Sequence, residues 1–97
     1  MILEVAQVAV LPGHESASEA DLDQAVDEVL LQAAGCVSFT AHGWCIERPN
    51  VFMFTIGWDT LEDHTEGFRG SALFDQWRAL IGPFFAEPPT VEHWTPV

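Results

Sequence analysis

Ninety-seven residues make one small domain, and 48% of them are hydrophobic, with four Trp and seven Phe. Fifteen acids face only three bases, Arg48, Arg69 and Arg78, for a formal net charge of −12. A field of that sign repels phosphate backbones and anionic lipid surfaces, which excludes nucleic acid and membrane as partners.

A chain this short buries roughly 65% of its unfolded surface, so its own core is thin. The apolar content exceeds what such a core needs, which points to an oligomer interface or a lined cavity; a dense aromatic monomer core is the alternative. Cys36 and Cys45 are nine residues apart in one strand-like region. If extended, it holds the thiols roughly 30 Å apart and on opposite faces. Two unpaired thiols fit a reducing compartment. No basic leader and no apolar run of membrane-spanning length is present. The expected location is therefore cytoplasmic.

Along the chain, Ile2 to Leu11 is apolar on both alternating faces and stops at Pro12-Gly13, which predicts a strand covered on two sides and then a turn. Ser18-Glu19-Ala20-Asp21 reads as a capping box opening the first helix. Its buried stripe is Leu22, Ala25, Val26, Val29, Leu30 and Ala33, and Gly35 is the left-handed stop. Cys36–Glu47 and Val51–Trp58 read as an antiparallel hairpin around Arg48-Pro49-Asn50. Thr60-Leu61-Glu62-Asp63 repeats the capping pattern and starts a second helix, weakened by Gly67 and Gly70. Ser71 caps a further helical piece carrying Leu73, Phe74, Trp77, Leu80 and Ile81, closed by Gly82-Pro83. A last strand fits Thr90 to Thr95. The order is β-α-β-β-α-β: an α+β, ferredoxin-like fold with an antiparallel sheet in a single domain, residues 1–97. One sheet face carries the helices. The other is apolar with nothing in the chain to cover it, and a homodimer is the natural cover.

The second half of the chain resembles the antibiotic biosynthesis monooxygenase (ABM) domains. In that family a strand ends near a Trp, a His follows six residues on, and a Ser/Pro-x-x-Phe step opens the next helix; here these are Trp58, His64, Ser71 and Phe74. The ending Pro89-Thr90-Val91-Glu92-His93-Trp94 also fits, with His93 expected to support the fold or the dimer. The resemblance implies two sheets meeting in a dimeric α+β barrel. It further implies oxidation of a small aromatic phenol, quinol or polyketide-type substrate, without metal or flavin, because the deprotonated substrate itself activates oxygen. Haem-degrading relatives carry a first-strand Asn and the pattern W-x-x-S-x-x-F-x-x-x-H. Here Phe68, Ser71, Phe74 and Arg78 occupy that pattern and Gln7 the strand position, which removes the axial His and argues against haem.

Each candidate residue has a functional and a structural reading. His64 suits a base or hydrogen-bond donor for a phenolic substrate, and equally a structural His bonded to a carbonyl or carboxylate. Arg78 suits an oxyanion holder, and equally a helix-end cation paired with an acid such as Asp75. Trp58, Phe68, Phe74 and Trp77 suit the walls of a slot for a flat ligand, and also plain core packing. Gln7, a lone amide on an apolar strand face, suits substrate orientation. His42 and Trp44 are expected on one face of their strand. No metal-ligand spacing, dinucleotide loop or nucleophile elbow is readable, so no cofactor is expected. The leading expectation is a cofactor-independent monooxygenase with His64 and Arg78 as catalytic residues. The competing one is a non-catalytic dimeric α+β barrel protein that binds a small hydrophobic molecule.

Overall fold

In the computed structural model, which describes residues 1–97, four strands and two helices follow in the order β-α-β-β-α-β. Strand β1 (Ile2–Ala9) leads to helix α1 (Glu15–Glu28), then the hairpin β2 (Cys36–Trp44) and β3 (Val51–Trp58). A π-helical turn (Asp63–Phe68) runs into helix α2 (Ala72–Ile81), and β4 (Thr90–Trp94) ends the fold. The sheet is antiparallel throughout, in the order β2-β3-β1-β4. The expected barrel is corrected here: this sheet is open, with β2 and β4 as its edges, and no strand pairs β4 to β2.

The sheet's two faces follow from the alternation of side chains along a strand. Ala6 and Val8 on β1, with Phe52, Phe54, Ile56 and Trp58 on β3, are buried beneath the helices. The expected stripe meets them: Leu22, Ala25 and Val26 of α1 are buried in the same cluster, as are Val29, Leu30 and Ala33, although α1 ends at Glu28 and a 3-10 turn (Leu30–Gln32) carries the chain on towards Gly35. Phe68, Trp77 and Ile81 come from the other side. The opposite face has no helix over it, and Leu3, Val5, Gln7 and Met53 on it are only half-buried.

Three local expectations change. Helix α1 begins at Glu15, with His14 at its N-cap, and Ser18 is buried inside the helix. The chain turns at Gly13 (φ 95°), whose N–H donates to Glu15 Oε2 at 2.8 Å, so the helix is launched before Ser18 is reached. Strand β1 ends two residues early because Val10 bridges to Phe85 and Leu11 N–H donates to the Phe84 carbonyl. A register shift at Ala41/Gly43 separates His42 from Trp44. His42 meets Thr55 on the helix-free face, whereas Trp44 packs on Phe52 and reaches Glu19 of α1.

The second capping pattern behaves as read. Thr60 N–H donates to Asp63 Oδ2 (3.2 Å) and Asp63 N–H donates to Thr60 Oγ1 (3.1 Å), a reciprocal cap. The next turn widens: Arg69 N–H donates to the His64 carbonyl five residues back. Such π turns are rare and occur often at functional sites. This one carries His64 and Phe68, both buried.

Candidate active site

A cleft of about 800 Å³ opens between the helix-bearing face of β1, β3 and β4 and the flank of α2, lined also by residues of the segment 82–89. Its walls are Ala6, Val8, Phe54, Ile56, Phe68, Phe74, Trp77, Phe85 and Val91, and its polar groups include Glu4, His64, Arg69 and Arg78. Phe68 meets Phe74 and Trp77 edge-on, with centroids 5.5 and 6.3 Å apart, and Phe54 meets Trp77 likewise at 6.3 Å. Edge-to-face packing fixes these rings and gives the cleft a stiff aromatic wall.

Of the residues singled out from sequence, His64, Phe68, Phe74, Trp77 and Arg78 converge on this cleft. Gln7 does not. It faces the helix-free side of the sheet, where its Oε1 accepts from Arg48 Nη2 at 3.3 Å. Trp58 does not line the cleft either: it is 0% exposed and lies behind His64, their rings stacked at 5.2 Å and 16°.

Glu4 is what sequence reading passed over. It sits on β1 among apolar neighbours, 5% exposed. Trp58 Nε1–H donates to its Oε1 at 2.9 Å, and His64 Nε2 stands 3.3 Å from the same oxygen. On the other side of the ring, His64 Nδ1 and His93 Nε2 are 2.7 Å apart. Burial raises the Glu4 carboxyl above its ordinary 4.5, with the Trp58 N–H and Arg69 pulling partly back. Burial also drives His64 down from 6.5 to about 4, helped by Arg69 and His93, and His93 is lowered by burial and Arg69. His64 is therefore neutral at physiological pH. A carboxylate only accepts, so the His64 proton belongs on Nε2, facing Glu4, and Nδ1 accepts from His93 Nε2–H. The polar line Trp58 and His93–His64 thus ends on one carboxylate.

Fully buried side-chain polar atoms all have partners in this structure. Glu4 Oε2 accepts no hydrogen bond, and so it is the oxygen turned to the cleft that Glu4 lines. Arg69 and Arg78 are the cleft's two cations. Neither has a carboxylate within ion-pair distance: Glu4–His64 is the protein's single such contact. Arg78 lies instead over the Phe74 ring, 5.7 Å from its centroid. In a chain with fifteen acids and three bases, two unpaired arginines on one cleft leave a site able to hold an anion formed there.

Comparison with known proteins agrees with this architecture. The antibiotic biosynthesis monooxygenase family model matches residues 1–80. The chain belongs to the ABM family. A crystal structure from Bordetella bronchiseptica, named for the same monooxygenases, is 40% identical, covers 99% of this chain and 96% of its own, and superposes with a TM-score of 0.91. The uncharacterized protein YczJ of Bacillus subtilis is 39% identical over 82 residues, which is 78% of this chain and 86% of YczJ. Rv0793 of Mycobacterium tuberculosis, at 21% identity with 99% and 94% of the two chains covered, shares the fold with a TM-score of 0.75. For this ABM domain, membership supports an oxidoreductase role at the level of class. No helix is long and apolar enough to cross a membrane.

Proposed function

We propose that this ABM protein is a monooxygenase acting on a small, flat phenol, quinol or related polyketide-type aromatic, with no metal or flavin involved. The observation that carries the reading is the pairing, within one aromatic-walled cleft, of a buried carboxyl–imidazole cluster with two unpaired arginines. Substrate enters neutral, since a protein of charge −12 disfavours approach by anions. A proton leaves at the Glu4–His64 end, and Arg78 holds the resulting oxyanion. Phe68, Phe74 and Trp77 hold the ring in plane. The electron-rich anion then reduces dioxygen: for a ring CH2, one oxygen atom becomes the new carbonyl and the other leaves as water with the two hydrogens. The protein's share of the chemistry is orientation and anion stabilisation.

The test is oxygen uptake with a panel of anthrones and hydroquinones in the absence of added cofactor. Uptake above buffer that falls about 10²–10³-fold in kcat for Arg78→Ala supports the reading. Uptake at the buffer rate across the panel, with anthrone bound in the cleft by NMR shift mapping, makes the protein a binder of small hydrophobic molecules instead. A homodimer joined through the helix-free sheet face, where Leu3, Val5 and Met53 are half-buried and Val37 and Trp94 exposed, is part of the same proposal; light scattering that returns one chain's mass removes it.

A further inference from the structure

We infer that Glu4 is the proton acceptor of the cleft, taking a proton from a neutral aromatic ligand at Oε2, and that Trp58, His64 and His93 are positioning residues acting through it. This rests on the reading of the cleft given above and assigns its base.

The groups differ in what each has free. His64 lines the cleft, but both ring nitrogens face protein partners, Glu4 on one side and His93 on the other. Glu4 has one oxygen engaged and one open. Trp58 N–H and His64 both address Oε1, and nothing donates to Oε2. Anchoring at Oε1 fixes the carboxylate plane between β1 and the π turn, so Oε2 has one orientation, into the cleft. A proton arriving on Oε2 leaves Oε1 an acceptor, and the Trp58 and His64 contacts persist without rotation of either ring. The network therefore tolerates both states of the carboxyl, which a cycling base requires. Burial supplies the strength: a carboxyl raised above its usual range is a better base than one in water.

Anthrone gives up its proton without any change of oxidation state. The ring C–H bond breaks and its electron pair enters the ring. The carbonyl π pair moves to oxygen, giving the anthranolate oxyanion, and the proton bonds to Glu4 Oε2. No oxidant enters. Arg78 faces the oxyanion, and reversal returns a hydrogen to carbon.

That reversal gives a test separate from oxygenation. Full-length protein and anthrone are held without oxygen in D2O, and loss of the CH2 signal is followed by proton NMR. Wild type exchanges the ring hydrogens faster than buffer, at a rate that rises with pD as a carboxyl ionises. Glu4→Gln, whose amide oxygen still accepts from Trp58, falls about 10²–10⁴-fold towards the buffer rate and loses that rise. Glu4→Asp keeps the rise at reduced rate. His64→Gln and Trp58→Phe move its midpoint rather than abolish it. Near-UV circular dichroism of the buried tryptophans verifies that each variant is folded. Glu4→Gln exchanging at the wild-type rate overturns the inference, as does wild type exchanging no faster than buffer. Exchange without oxygen uptake in air retires the monooxygenase reading and keeps Glu4 as the base. Oxygen uptake unchanged in Glu4→Gln does the reverse.

Discussion

Replacing His64 with Gln tests whether the neutral, buried imidazole shapes the protein's stability. His64 is 3% exposed and ionises at about 4 in the fold against 6.5 in a free chain. The depressed value means that the unfolded chain binds a proton first. The stabilisation is fully present above pH 6.5 and is lost as pH falls through about 4. That window spans roughly two and a half pH units at about 1.4 kcal/mol each, so the loss is on the order of 3 kcal/mol. A domain of this size has about 5–15 kcal/mol in all. Glu4 works in the opposite sense, since its raised folded value favours the fold in acid and disfavours it as pH rises. Wild type alone therefore reports a difference of two terms. The variant removes the His64 term outright and keeps the Glu4 term, moved only as far as the lost His64 contact shifts that carboxyl. Urea unfolding at intervals from pH 7 to pH 4 should show wild type losing about 3 kcal/mol more than His64→Gln across the range. Parallel profiles would mean that His64 takes up its proton in the fold as readily as in the free chain, and that it is not held neutral by burial.

Other perturbations reach different parts of the same structure. Trp58→Phe removes the N–H that donates to buried Glu4 and should lower stability by about 1–3 kcal/mol, read as a shift in urea midpoint. Phe54→Ala empties the core beneath Trp77 and should lower stability by about 3–5 kcal/mol in the same assay. Gly35→Ala places a Cβ on the Asp63 carboxyl group at a backbone φ of 81°, which breaks the Thr60–Asp63 cap. It should cost about 1–3 kcal/mol, and the His64 ring signals should broaden or shift; an unmoved thermal midpoint would show that the loop before the π turn yields freely.

The fold was legible because its signals are local and redundant. Eight-residue apolar runs make β1 and β3, and Leu22, Ala25 and Val26 at helical spacing make the buried stripe of α1, which Val29, Leu30 and Ala33 continue into the turn beyond it. The structure departs from the sequence pattern where a single local contact, a bulge or a sheet edge decides. Ser18 has the chemistry of a cap, yet Glu15 caps the Gly13 turn first, and the serine becomes an interior helical residue. The barrel expectation came from family resemblance and from an uncovered apolar face, and no strand of this chain closes the sheet. His42 and Trp44 were expected on one face by counting in twos, and the shift at Ala41/Gly43 breaks that count.

The site was half legible for a related reason. His64, Phe68, Phe74, Trp77 and Arg78 lie within fifteen residues and share short-range periodicity, so pattern alone brings them together. Glu4 lies 60 positions from His64 and pairs through the sheet, where β1 aligns Glu4 with Ile56 on one side and His93 on the other. One signal did exist: a single acid in a strand with both faces apolar must be paired, shifted or functional, because an unsatisfied buried charge is untenable. The same rule that marks Gln7 as a candidate applies more strongly to Glu4, and the two point to opposite faces. The helix-covered face is where a carboxyl is driven out of its ordinary range, and the helix-free face is where an amide needs only Arg48. Which strand residue becomes chemistry and which remains structure is thus decided by the side of the sheet, a property fixed by register and invisible in the composition of the strand.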